Sequence, residues 1–314
     1  MKFIVNGSAL FTSAAVGLFA VLAASSGHVD AATDPISPGG QHNTLTAQEK
    51  ADGWRLLWDG KTTNGWRSAR GDFFPDKSWT IQDGEFSVVS SGNAEAQAGG
   101  DIITRERFSN FELTADFKAT PGCNSGIKIF VQPNLDPVTG EGGKAATGSA
   151  IGLEYQILDD ERHPDAKLGR DGNRKLGALY DLVPAGPNKH PNPVGEWNHA
   201  RIVSRGRHVE HWLNGEKILE YDRGSQAFRA TVALSKFRNI PGFGEWPDGH
   251  ILLQEHGGAR WDSFQVQRPA AGAIGFDVAV YVGQGEGKFF VVAFEIDAAG
   301  GYVDAAEAHR RGCG

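Results

Sequence analysis

Cysteine is nearly absent from this 314-residue chain. Cys123 and Cys313 are the only two, and residues so distant build neither a thiolate zinc site nor a disulfide scaffold. With Cys313 in a terminal tail, Cys123 is expected to be a lone buried thiol. Basic runs are missing as well. The formal net charge is −7, and no Lys/Arg patch interleaved with aromatics occurs, which argues against nucleic acid as a partner. No Gly-rich dinucleotide fingerprint is present, so a nicotinamide cofactor is not expected. Long hydrophobic runs are lacking too. The apolar stretch Ala9–Ala24 is short and interrupted by Thr12, Ser13 and Gly17. With Lys2 ahead of it and Val29-Asp30-Ala31 behind, it reads as an export signal cleaved after Ala31, not as a retained membrane anchor. No cysteine lies near that cut, so no lipoprotein attachment is expected. The mature chain is read as periplasmic or secreted, with no transmembrane anchor.

Helical periodicity is scarce, while 42 glycines, 18 phenylalanines and 8 tryptophans point to an all-β chain rich in turns. Residues 32–52 are rich in Pro, Gly, Ser and Thr and read as a linker, with structure beginning near Gly53. Short strands follow: SWTI and EFSVV around Asp83-Gly84, DIIT at 101–104, and a half-buried strand in which Phe111, Leu113, Ala115 and Phe117 alternate with polar residues. Then comes NSGIKIFVQ, with Ile127, Ile129 and Val131 on one face and Lys128, Phe130 and Gln132 on the other. Pro133–Ser149 is a Gly-rich loop longer than ordinary connections, as functional loops often are. GALYDL (177–182) reads as a short strand. Trp197–Val203, Val209–Leu213 and Lys217–Tyr221 follow, the last two joined at Asn214-Gly215. Ala230–Leu234 fits a helix or an irregular segment. Ser263–Gln267 closes the series. Such evenly punctuated strands predict a two-sheet β-sandwich. The tail after Pro269 changes character, with apolar runs at Phe276–Val282 and Lys288–Ile296.

The chain is organised around IGLEYQILD (151–159). Period-two alternation puts Leu153, Tyr155 and Ile157 on one face and Glu154, Gln156 and Leu158 on the other. A second stretch, ILLQEH (251–256), places Leu252, Gln254 and His256 together. A core face backed by a face carrying Glu, Gln and His suggests the floor of a polar ligand site; a strand with its polar face in water is the plainer alternative.

GLEYQILD, the NSGI strand opening, GALYDL, GEWNHARIV, HWLNGEKILEYD and FRNIPGFGEWPDGHILLQEHGG, in this order and preceded by WRLLWDGKTTNGW, resemble the 3-keto-disaccharide hydrolase domain family. The resemblance spans residues 53–268 and leaves the 269–314 tail unmatched. It implies a concanavalin-like jelly-roll β-sandwich of two antiparallel sheets, with a carbohydrate cleft on the concave sheet. It also implies cleavage of glycosides already oxidised at C3, by a hydrolase or lyase, with a separate sugar 3-dehydrogenase upstream. A C3 ketone acidifies the C2 proton. A base removes it, the enolate is stabilised, the aglycone leaves from C1, and water adds. General acid–base help of this kind contributes on the order of a hundred- to ten-thousand-fold in rate.

On this resemblance Glu154 and His256 are the first candidates for base and acid. Gln156 and Gln254 would hold sugar hydroxyls, Lys128 or Asn124 would steady the enolate, and Tyr180 and Asp159 rank second. Each has a plainer reading: a Lys128–Glu154 cross-strand pair, a His256 cap on Gly257-Gly258, an Asx turn at Asn124. Asp159, Asp160, Glu161, His163 and Asp165 form an acidic cluster with one histidine. Carboxylate oxygens suit calcium, so a divalent metal, with Asp159 and His163 as its weak candidates, is left open. Glu295-Ile296-Asp297 resembles the start of the paired-carboxylate strand of retaining β-glucanases, but position 300 is Gly, and Gln156 stands where a second carboxylate would be needed. A conventional two-carboxylate glycoside hydrolase of the same fold is therefore disfavoured. A non-catalytic carbohydrate-binding module is the other alternative, with Trp197, Trp212 and Trp246 as stacking candidates.

Overall fold

The computed structural model describes residues 43–88, 100–133, 150–256, 259–267, 279–285, 288–296 and 302–303. The export signal read over 1–31, the first part of the linker and the loop from 134 to 149 lie outside the described residues, as do Gly257, Gly258 and Cys313. Residues 43–52, read from the sequence as part of the linker, are folded. Helix α1 (Ala47–Ala51) falls inside that stretch, and a capping box forms it: Thr46 Oγ1 accepts from the Glu49 amide while the Glu49 carboxylate accepts from the Thr46 amide. Asn43 is buried, its side chain donating to the Gly84 carbonyl. A helix this short, with no buried residue, leaves no hydrophobic period to read.

The strands are β1 (Trp54–Leu56), β2 (Trp66–Ser68), β3 (Trp79–Gln82), β4 (Glu85–Val88), β5 (Ile102–Thr104), β6 (Phe111–Ala119), β7 (Asn124–Gln132) and β8 (Ile151–Leu158). After a 3-10 turn at Pro164–Lys167 come β9 (Trp197–Arg205), β10 (His208–Leu213), β11 (Glu216–Asp222), helix α2 (Gln226–Ala233), β12 (His250–Leu253) and β13 (Ala259–Gln267). They form the expected jelly-roll sandwich of two antiparallel sheets. One runs β11-β10-β9-β6-β13-β4-β3, with β1 also on β13; the other runs β2-β5-β12-β7-β8. Asp83-Gly84 and Asn214-Gly215 turn two of the hairpins with both residues at positive φ, 54° and 80° in one and 50° and 84° in the other. In the tail, β14 (Ala279–Gly285), β15 (Lys288–Ile296) and β16 (Tyr302–Val303) pair with one another in a sheet of their own.

The core lies between the two large sheets. Phe111, Leu113, Ala115 and Phe117 of β6 meet Ile127, Ile129, Leu153, Tyr155 and Ile157 of β7 and β8, each at most 1% exposed. Full burial stabilises by about 1.5–3 kcal/mol for each large apolar side chain.

Three expectations are corrected here. GALYDL is no strand: its backbone turns, tied by single bridges from Leu179 to Tyr155 and to Val183. In β7 the alternation breaks at a bulge, where Phe130 has φ +54°. Phe130 therefore joins Ile127 and Ile129 in the core, under the Arg223 guanidinium, and Val131 moves to the opposite face beside Ala69, Ile103 and Leu252. Finally, β12 ends at Leu253, so strand alternation does not carry through to His256.

Candidate active site

With the core residues of β7 and β8 facing inward, Lys128, Glu154 and Gln156 take the outer face of the five-stranded sheet. The register sets Lys128 directly opposite Glu154, and Gly126 opposite Gln156. Lys128 Nζ lies 3.8 Å from Glu154 Oε2 and 4.0 Å from Asp101 Oδ2. The Gln156 and Gln254 amides, oriented to satisfy their neighbours, each donate to Glu154 Oε1 at 3.1 Å, and the Gln254 oxygen accepts from Lys128 Nζ at 3.3 Å. Gly126 makes room for this, since a Cβ there would stand 2.7 Å from Glu154 Oε1. The Glu154 carboxylate is thus held at both oxygens, with the residue only 6% exposed. The cross-strand pair read from the sequence exists, but as the centre of a buried polar network, not as a solvated surface bridge.

The segment after β8 builds a wall beside this centre. The Tyr180 amide donates to the Glu154 carbonyl at 3.0 Å, and its hydroxyl donates to Asp165 Oδ2 at 2.8 Å. Burial, then the Asp165 and Glu154 charges, push the Tyr180 hydroxyl pKa above its ordinary value. Arg174 grips Asp181 through Nε at 2.7 Å and Asp165 through Nη1 at 3.0 Å. The second oxygen of Asp181 accepts from the Lys236 amide at 2.7 Å, which fixes the chain just beyond α2. Lys236 Nζ then sits 4.3 Å from the centroid of the Tyr180 ring. Lys236 is exposed, and loss of hydration pulls its pKa down. Lys128 and Arg174 push the same way, against Glu154 and Asp181.

The remaining candidates fall elsewhere. Asn124 stands at the start of β7, opposite Leu158 and beside Gln156. His256 lies past the end of β12, half-buried, with a buried Nδ1 that has no hydrogen-bond partner. Among the described residues no hydrogen bond or ion pair joins it to Glu154. Asp159 and His163 do not converge as metal ligands. Asp159 accepts from the amides of Gly122 at 2.8 Å and of Glu161 and Arg162 at 3.2 Å, and pairs with the Arg162 guanidinium. Burial opposes ionisation there, but these donors hold the carboxyl below its usual range. His163 Nδ1 accepts from the Asp165 amide and caps the 3-10 turn. Among the described residues, the ligating atoms of His208, Glu210 and Glu220 alone approach within 4.8 Å of one another, on β10 and β11, and Lys217 Nζ lies 3.4 Å and 2.6 Å from the two carboxylates. The tryptophans offer no platform on the five-stranded sheet: Lys118 covers Trp197 at 4.4 Å, Arg201 covers Trp212 at 4.8 Å, and Trp246 packs edge-on to Phe243.

Asp101, Arg174, Asp181 and Lys236 complete the cluster and were not found by reading the sequence. Asp101 left one signal, a charge at the mouth of an apolar strand. The other three sit on turns with no period.

Residues 53–267 match the model of a family described as the 3-keto-alpha-glucoside-1,2-lyase-like domain. The chain is 40% identical over 225 residues to a 3-keto-disaccharide hydrolase of Bacteroides thetaiotaomicron, a match covering 71% of this chain and 75% of that relative. Among solved structures, a candidate glycosyl hydrolase of Parabacteroides distasonis superposes with a TM-score of 0.59 at 28% identity, over 73% of this chain and 99% of that one.

Proposed function

The chain belongs to the 3-keto-alpha-glucoside-1,2-lyase-like domain family, and from that premise we propose that it is a glycoside-cleaving hydrolase whose substrates are glycosides oxidised at C3. One observation carries the choice: Glu154 is a single carboxylate, anchored at both oxygens by Lys128 and two amides, with a solvent-open cation nearby. In this reaction the Glu154 carboxylate takes the proton from C2, and the C–H electrons move toward the C3 oxygen as an enolate. The enolate returns those electrons to form C1=C2, and the C1–O bond to the aglycone breaks. His256, whose Nδ1 has no partner, is the candidate to protonate the departing oxygen. Water then adds hydroxyl at C1 and hydrogen at C2, so the sum is hydrolysis to a 3-keto sugar.

An ordinary two-carboxylate glycosidase fits the cluster less well. Asp101 is 2% exposed and its Oδ1 accepts from the Glu255 amide, while Asp165 and Asp181 are tied to Arg174. The ketone must come from a separate sugar 3-dehydrogenase, since the sequence carries no dinucleotide fingerprint. The leader read over residues 1–31 supports a periplasmic or secreted location for the enzyme. Incubation of the purified protein with a 3-keto glucoside and with its unoxidised parent tests the activity. Aglycone release is expected from the keto form alone; cleavage of the parent would overturn the reading. Activity lost to a chelator and restored by a divalent ion would add a metal to the chemistry.

A further inference from the structure

Elimination through an enolate needs a positive group or strong donor at the C3 oxygen, and the cluster holds three cations that could serve. Two are committed. Lys128 is buried and shared among Glu154, Asp101 and the Gln254 oxygen, so its charge is spent on fixing the carboxylate. Arg174 is turned onto Asp165 and Asp181. Lys236 differs from both. Its side chain is exposed, and among the described residues its ammonium makes no hydrogen bond or ion pair. Its position is nonetheless set: the backbone amide is clamped by Asp181, the ammonium nitrogen lies 4.3 Å from the Tyr180 ring centroid and 5.2 Å from that of Phe237, and Phe237 stacks on Phe243 with centroids 4.1 Å apart. A fixed stem carrying an ammonium with open donor positions is the arrangement an oxyanion site requires.

We propose that Lys236 is the oxyanion-binding residue of this site, donating to the C3 oxygen of a 3-keto sugar as the enolate forms, while Lys128 is a positioning residue that holds the Glu154 carboxylate in place. This rests on the 3-keto-glycoside reading given above. It moves to Lys236 the enolate-steadying role that the resemblance implied for Lys128 or Asn124. The charged and titratable groups around Lys236 are Glu154 on β8, Lys128 on β7, and Arg174, Tyr180 and Asp181 on the turns after β8. Loss of water lowers its pKa, with Lys128 and Arg174 adding to the shift and Glu154 and Asp181 opposing it, which brings the ammonium closer to the acidity of an enol and strengthens the bond it makes to the enolate.

The test compares wild type, Lys236→Met and Lys236→Arg on a 3-keto glucoside, following aglycone release and deuterium exchange at C2 in heavy water. Lys236→Met is expected to lower kcat by about a hundred- to a thousand-fold with KM little changed, the loss seen when an oxyanion donor is removed. C2 exchange should fall with it, because both need the enolate. Melting should change little, since the ammonium makes only cation–π contacts, with the Tyr180 and Phe237 rings. Lys236→Arg should recover part of kcat, and the alkaline fall in kcat, expected below an ordinary lysine pKa of about 10.4 in the wild type, should move upward because guanidinium does not lose its proton. A structural role for Lys236 would not move that limb. A Lys236→Met enzyme that cleaves within threefold of wild type overturns the assignment and leaves the activity standing. If wild type neither exchanges C2 hydrogen nor releases aglycone, the activity reading falls and the assignment with it.

Discussion

A carboxylate that must take a proton from carbon has to be kept charged and kept still. Glu154 is held still by partners that are themselves buried, and removing one of them has a different cost from removing the carboxylate. Glu154→Gln keeps the shape and most of the hydrogen bonding, so the fold should survive while aglycone release falls by about a hundred- to ten-thousand-fold. Lys128→Met leaves Glu154 and Asp101 with buried charge and no ammonium, and should lower stability by about 3–5 kcal/mol in urea unfolding. If Lys128→Met is as stable as wild type, the pair is not what holds Glu154. At this scale the sequence was informative where side chains alternate. Glu154, Lys128 and Gln156 could be placed on one face because β7 and β8 keep period two across them. His256 could not, because the strand that would have oriented it ends at Leu253. Lys236 and Arg174 were invisible for a related reason: turn residues have no period, and only the fold brings them to the sheet.

The bulge in β7 shows what an element can hide. Pattern reading assumes that each residue has one partner, so it put Val131 in the core and Phe130 outside. The bulge exchanges them, and it depends on a neighbour far away in sequence. Gly249 passes so close to the bulge that a Cβ on it would stand 2.2 Å from the Phe130 carbonyl carbon and 2.3 Å from its Cα. Those are backbone atoms, which cannot swing aside as a long side chain would. Gly249→Ala is therefore expected to cost about 1–3 kcal/mol or more, the range for overpacking, and to lower activity as well, because the displaced β7 carries Lys128. Equal melting temperatures for the variant and wild type would mean the strands separate more easily than this contact implies. The hairpin turns, by contrast, were legible from Asp-Gly and Asn-Gly alone, because their positive φ values are a local demand.

Across the whole molecule, the two sheets are joined by polar as well as apolar contacts, and one of these makes stability depend on pH. His211 of β10 is 1% exposed, with its ring 4.9 Å from Tyr155 of the opposite sheet and 5.6 Å from Tyr221. Its Nδ1 lies 3.1 Å from the Gly177 carbonyl, which accepts its proton and so fixes the tautomer, and this bond opposes the effect of burial. Burial lowers its pKa to about 4. In the unfolded chain the imidazole titrates near its ordinary value of about 6.5. Between these values the unfolded state binds a proton that the folded state refuses, so stability rises with pH through this window and falls on acidification from about 6.5 to about 4. The full difference is on the order of 3 kcal/mol from this one side chain. A His211→Gln variant should be less stable than wild type at neutral pH, having lost its packing between the tyrosines. It should also lose less of its remaining stability on going from pH 7 to pH 4.5, because glutamine does not titrate. Urea midpoints at the two pH values decide the matter: equal losses in both proteins would show that the acid sensitivity arises elsewhere. Composition predicted the sandwich from its turns and aromatics, but it could not have predicted this histidine. In HWLNGEK it reads as one polar residue among several, and only the meeting of the two sheets buries it.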